Sequence, residues 1–196
     1  LGLAQLSQDA WVSRTARMIV QLVRNVPLLL LLLAVYFAWI KLFPPADQAW
    51  QLNGMVYVSK SGLVVPELND WTWQLPAQGR FAVEGGLALS TEWLSLSLAL
   101  GLYTAVYVAE VVRAGVQSVP TGQVHAARAL GLNTTQVRRW VVWPLALRLA
   151  VPPLANQSIN LLKNASLGVA VGYPELVSVG NTAMNQSGRV VECVLV

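Results

Sequence analysis

Asn160, Lys163, Asn164 and Ser166 crowd into one otherwise apolar stretch of the chain. A lysine at the depth of a membrane span costs about 2.5–3.5 kcal/mol on insertion scales, so Lys163 is expected to face a bundle interior or water. There, with Asn160, Asn164 and Ser166, it would contact a carboxylate on a polar path. The alternative is a structural tie to backbone carbonyls freed at a helix break, or to Glu175. Glu110 and Arg113 stand three residues apart and can pair on one helix, as a structural pair at its end or as a gate. His125, the one histidine, reads as a pH switch or as a neutral residue at the rim of an interface. One histidine and one cysteine, Cys193, are too few for a metal site, and Cys193 has no partner for an intramolecular disulfide. No nucleophile, base and orienting group can be assembled from these residues, which sets enzymes aside.

The elements that must hold these residues are apolar. Of 196 residues 55% are hydrophobic and 11% charged, against about 25% charged in a soluble domain, and the mean hydropathy is +0.53. That composition belongs to a membrane protein. Pro27 to Phe43 carries Lys41 as its only charge and includes an unbroken leucine run, Leu28 to Leu33, giving roughly 25 Å of helix, enough for a short span if Lys41 snorkels. Trp93 to Ala109 is uncharged and predicts a second span. From Leu145 the chain is apolar again but interrupted by Pro152, Pro153, Asn156 and Gln157 as well as the polar residues above, which predicts a third span broken or kinked near its middle. Ahead of the first span, Trp11 to Arg24 alternates apolar and basic positions at helical spacing, as in a helix lying on a membrane face. Between the first two spans, Leu52 to Arg80 holds Pro66, Pro76, Gly54, Gly62, Trp71 and Trp73, a composition for extended segments and turns. Trp50, Trp71, Trp73 and Trp93 read as interfacial anchors rather than as a cation cage.

The net charge of +4 is unevenly spread. Arg14, Arg17 and Arg24 precede the first span, and Arg113, Arg128, Arg138, Arg139 and Arg148 fall within Val111 to Arg148, which has no Asp or Glu. The loop from Pro44 to Glu84 sets Lys60 and Arg80 against Asp47, Glu67, Asp70 and Glu84. By the positive-inside rule the arginine-rich stretches are cytoplasmic and the tryptophan-rich loop is external. Within the basic stretch, Pro120 suits a first helical turn, Gly131 a left-handed helix end, and Asn133 with Gln136 a capping box, which predicts two short helices.

Gly122-Gln123-Val124-His125-Ala126-Ala127-Arg128-Ala129-Leu130-Gly131, followed after nine residues by Val141 and then Trp143-Pro144, resembles the cytoplasmic loop of the permease subunits of binding-protein-dependent ABC importers. The family pattern is Glu-Ala-Ala, three residues, Gly, nine residues, Ile, one residue, Leu-Pro. Here His125 stands in place of the Glu and Trp143 in place of the Leu. Val23 to Leu29, Ala109 to Val119, Asn160 to Leu167 and Gly172 to Leu176 are similar to the flanking segments of the polar amino-acid branch, nearest to permeases for general or acidic and amide L-amino acids.

The resemblance implies an all-α membrane protein, a multi-span helical bundle with a cytoplasmic coupling-helix loop. Three spans and the start of a fourth are expected: lead-in 1–25, span 26–43, external loop 44–86, span 87–110, coupling loop 113–144, broken span 145–172, external segment 173–188 and the start of the next span at 189–196. It further implies that Gly122, Gln123, His125, Ala126, Ala127, Leu130 and Gly131 dock an ABC ATPase subunit. ATP and Mg would bind on that partner, since this chain has no Gly-rich loop ending in Lys-Ser or Lys-Thr and is expected to bind no cofactor itself. The other implied partners are a second permease subunit, a periplasmic amino-acid-binding protein and the lipid bilayer of the bacterial inner membrane. The implied activity is amino-acid import by alternating access.

Two rival readings differ in class. A secondary transporter or channel driven by an ion gradient would share the spans and the intramembrane lysine but gives no reason for the Ala-Gly loop. Leu130 to Trp140 pairs a turn with a basic helix as a DNA-reading helix-turn-helix does, but its flanks are spans, so no nucleic-acid partner is expected. With no initiator Met and no signal peptide, and with Arg189 to Val196 opening another apolar segment, the sequence reads as an internal piece of a longer chain.

Overall fold

A computed structural model describes residues 2, 4–7, 9–69, 71–174 and 176–188. The expected start of a further span at 189–196, and Cys193 and Glu175 with it, lie outside the described residues. The chain divides into two units, Leu1–Pro27 with Gly101–Lys163 and Leu28–Leu100 with Asn164–Val196.

In the first unit, helix α1 (Ala10–Asn25) starts where the Asp9 carboxylate accepts the Trp11 N–H at 2.9 Å and stops before Pro27, which disfavours helical geometry in the residue ahead of it. Its inward side is Ser13, Ala16 and Val20, and Ser13 Oγ donates to the Gln5 carbonyl at 2.9 Å. The unit also holds the later part of α3 (Thr91–Gln117), α4 (Thr121–Ala129), α5 (Thr134–Val137), a π-helical segment Arg138–Val142 and most of α6 (Trp143–Ala165). A methyl group added at Gly115 would lie 2.9 Å from the Ala146 carbonyl oxygen and 3.5 Å from Ala150 Cβ, so α3 and α6 meet backbone to backbone over small residues.

The second unit packs α2 (Leu28–Leu42), the start of α3 and a 3-10 stretch, Ser166–Val171, around Leu32, Leu96, Ala99 and Val171. Gly168 admits this approach, since a Cβ there would meet Leu96 Cδ2 at 2.9 Å. Helix α7 (Leu176–Ser187) closes the described chain.

The segment expected as a loop within an all-α fold forms sheets instead. Strands β1 (Trp50–Leu52), β2 (Val56–Ser59), β3 (Gly62–Val65) and β8 (Leu87–Ser90) make a four-stranded antiparallel sheet in that order. Two hairpins, β4 (Glu67–Asn69) with β5 (Thr72–Gln74) and β6 (Ala77–Gln78) with β7 (Val83–Glu84), lie between β3 and β8 in the chain. The physical reason is local: β-branched Val56, Val58, Val64 and Val65 favour strands, and Asn53 and Gly54 both take positive φ, 52° and 72°, as a tight hairpin turn between β1 and β2 requires. The sheet is fastened to α2 and to the start of α3. Trp39 Nε1 of α2 donates to the Ser59 carbonyl at 3.0 Å, and Thr91 Oγ1 at the start of α3 donates to the Lys60 carbonyl at 2.5 Å.

Helix boundaries also differ from those expected. Helix α3 begins at Thr91 rather than 87, because Leu87–Ser90 is taken by β8 and Ser90 Oγ accepts the Trp93 N–H at 3.3 Å as a helix cap. Helix α6 runs through Pro152 and Pro153 and changes to 3-10 geometry only at Ser166. The pair removes two N–H donors from the ladder, and each ring crowds the carbonyl four residues earlier, so this is the weakened part of a helix that nevertheless runs without interruption from Trp143 to Ala165. Among the described residues one helix, Thr91–Gln117, is by itself long and apolar enough to cross a membrane. Helix α2 has only 15 residues, and α6 is diluted by its amides and Lys163.

Candidate functional site

The loop between α3 and α6 is built from three locally determined stops. Helix α3 ends with Ser118 Oγ donating to the Gly115 carbonyl at 3.0 Å, and α4 follows Pro120, whose φ of −61° suits a helix entrance. At the other end Gly131, at φ 85°, turns the chain back. Its N–H reaches the Arg128 carbonyl at 2.9 Å, and the Leu132 N–H reaches the Ala127 carbonyl at 3.2 Å, the paired bonds of a Schellman end. Two residues later Asn133 Oδ1 accepts the Gln136 N–H while Gln136 Oε1 accepts the Asn133 N–H, both at 2.9 Å, which closes the capping box of α5.

Helix α4 therefore has fixed ends and one inward stripe. Ala127 is 5% exposed, and Val119 and Val137 are buried as well. Gly122, Gln123, His125, Ala126, Leu130 and Gly131 are exposed, Leu130 at 83%. Of the seven residues expected to dock a partner, Ala127 thus turns into its own unit while the other six face out. The reason is helical period: Val124 and Ala127, three apart, share the inner side, and Ala126 is a full 100° away from Ala127.

Toward the C-terminal end of α3, Arg113 Nη2 and Nε donate to Glu110 Oε2 at 2.8 and 3.3 Å, and Arg113 Nη1 donates to Gln117 Oε1 at 2.7 Å. Arg24, at the end of α1, joins the same carboxylate oxygen at 3.7 Å and lies 5.5 Å from the Tyr107 ring centroid. The Tyr107 hydroxyl is 3.1 Å from that of Tyr103. The spacing of Glu110 and Arg113 predicts their pairing, whereas Arg24 reads in the sequence only as a topology charge. Its place in the last turn of a helix was the available signal.

Asn160, Lys163 and Asn164 lie within the last two turns of α6, and Ser166 opens the 3-10 stretch after it. Asn160, Lys163 and Ser166 are exposed and Asn164 half-buried.

The first unit also contains an open cavity of about 870 Å³. Val116, Val119, Val124, Val137 and Val142 wall it together with Trp143, and Arg128 and Arg138 line it too.

Over residues 1–188 the chain matches the family described as binding-protein-dependent transport system inner membrane component. The chain belongs to this family. Among its relatives, the general L-amino acid transport system permease protein AapQ of Rhizobium johnstonii is 49% identical over 125 residues, 64% of this chain and 31% of that protein. The putative amino-acid ABC transporter permease protein YhdX of Escherichia coli K12 is 31% identical, covering 99% of this chain and 65% of that protein. The chain thus spans between about a third and two thirds of the length of these relatives. A solved structure, "Crystal structure of an amino acid ABC transporter with histidines", superposes on 99% of this chain and 70% of its own with a TM-score of 0.67 at 22% identity, a likeness of fold. Members of the family are helical membrane proteins, which agrees with the composition and with helix α3.

Proposed function

We propose that this chain is the core of a permease subunit that carries amino acids across the bacterial inner membrane in an ATP-driven importer. The observation that carries the reading is α4: a short helix fixed at both ends, anchored by Val124 and Ala127, and presenting Gly122, Gln123, His125, Ala126, Leu130 and Gly131 outward. A surface of small residues around one exposed leucine suits insertion into a groove on an ABC ATPase subunit, where ATP and Mg would bind. Family membership and the names of the amino-acid permeases among the relatives support the substrate class.

In this reading α2, α3 and α6 are spans, and the basic loop between α3 and α6 is cytoplasmic. The sheet-bearing segment is external, where a periplasmic amino-acid-binding protein docks, and a second permease subunit completes the path. Asn160, Lys163, Asn164 and Ser166 line that path, with Lys163 meeting the substrate carboxylate. ATP binding on the partner biases an equilibrium between inward- and outward-open states, and it can do so only by binding one state more tightly.

The test is uptake of a labelled amino-acid panel by vesicles carrying the full-length permease with its ATPase and binding protein. Uptake that needs ATP and falls at least tenfold in Ala126→Trp supports the reading. Uptake that ignores ATP and collapses with the ion gradient assigns the protein to the secondary transporters.

A further inference from the structure

The cavity of the first unit brings an apolar wall and two guanidinium groups together. Six valines, Ala4, Leu6 and Trp143 line it together with Arg128 and Arg138, and Ser7 and Thr134 complete the lining. Neither arginine has an ion-pair partner among the described residues, and the segment Val111 to Arg148 supplies no carboxylate. At this volume the cavity falls within the range of about 300–1,000 Å³ typical of ligand sites.

A second, shallower apolar groove runs along α1 between Trp11, Val12, Thr15, Ala16 and Ile19. The two share Val12, so the valine-walled cavity continues onto the exposed apolar side of α1. Each guanidinium fork matches the oxygens of a phosphate, and a hydrocarbon chain matches a groove of Trp11, Val12, Ala16 and Ile19 in which the Thr15 hydroxyl already donates to the Trp11 carbonyl at 2.8 Å. Inorganic phosphate would leave both the valine wall and the groove without a partner.

We propose that this cavity binds an anionic phospholipid, with Arg128 and Arg138 taking the phosphate and the Trp11–Ile19 groove holding an acyl chain. Basic pockets beside helices at the cytoplasmic face are suited to such headgroups. The inference rests on the proposed function only in placing the basic loop at the inner leaflet. Within α4, Val124 and Arg128, four residues apart, serve the cavity. Ala126 lies on the opposite side of the helix, so lipid and ATPase partner would use different faces.

The experiment is native mass spectrometry of the full-length permease complex, purified from nanodiscs of phosphatidylcholine with or without phosphatidylglycerol. Phosphatidylglycerol is expected to be retained at least tenfold over phosphatidylcholine and to stay bound in millimolar inorganic phosphate. Retention should fall about tenfold in Arg128→Gln/Arg138→Gln and also in Val12→Asn, which changes no charge, but not in Arg148→Gln, whose arginine is outside the cavity. Melting of each variant in the same detergent separates loss of lipid from loss of fold. Equal retention of the two lipids, or unchanged retention in both the double variant and Val12→Asn, overturns the site. Displacement by inorganic phosphate overturns the lipid in favour of a free anion. ATP-driven uptake is recorded in parallel: lipid retention that follows the variants while uptake ignores ATP upholds the site and rejects the importer, and the converse rejects the site alone.

Discussion

Gly115 of α3 lies against the Ala146 carbonyl of α6 with no room for a side chain between them, since a Cβ would sit 2.9 Å from that oxygen. This contact holds the two helices that flank α4 and α5. Gly115→Val is expected to force them apart at an overpacking cost of about 1–3 kcal/mol. The check is thermal denaturation in detergent, where Gly115→Val should melt well below wild type and Ala114→Val, at an exposed neighbour, should not.

Asn133→Ala removes the acceptor for the Gln136 N–H and loosens the reciprocal bond. It should cost about 1 kcal/mol. Hydrogen exchange should speed up across residues 134–142 while α1 keeps its protection. Uniform loss of protection across the unit would refute a local capping role.

At Gly131 the backbone is left-handed at φ 85°, which costs an L-residue about 1–2 kcal/mol. Gly131→Ala is therefore expected to weaken ATPase docking more than Gly131→Asn, because asparagine tolerates this region better. Measuring binding of the purified ATPase to each variant decides it.

Ala126 and Ala127 are neighbours with opposite surroundings. Ala126→Trp should leave folding intact and abolish docking. Ala127→Trp should lower the yield of folded protein, since its site is 5% exposed. Size-exclusion profiles with ATPase pull-down separate the two, and equal yields for both variants would contradict the inward placement of Ala127.

Arg113 makes two short bonds to Glu110 whereas Arg24 approaches at 3.7 Å with its side chain 45% exposed. Partly exposed pairs contribute about 0–1 kcal/mol. A double-mutant cycle with Glu110→Gln should therefore give a larger coupling to Arg113→Met than to Arg24→Met.

What could be read from sequence was what neighbouring residues determine. Gly131, Asn133 and Gln136 specify helix ends within a few positions of themselves, and the structure has those ends. The pairing of β3 with β8 was illegible because it joins Gly62–Val65 to Leu87–Ser90 across two intervening hairpins, and Leu87–Ser90 is as apolar as the helix it precedes. Pro152 and Pro153 predict a broken or kinked span; α6 is continuous through both and gives way to 3-10 geometry at Ser166, beyond them. Arg24 meets Glu110 only through the packing of α1, which no spacing encodes. The π-helical turn at Arg138–Val142 likewise has no local signature.

The fastening of the four-stranded sheet has a mechanical consequence. Its β2–β3 turn is gripped by Trp39 from one helix and Thr91 from another, so the segment is a bracket and not a slack tether. A protein pressing on this bracket would load the ends of α2 and α3 together. Cutting either bond, as in Trp39→Phe or Thr91→Val, would let each helix end respond on its own.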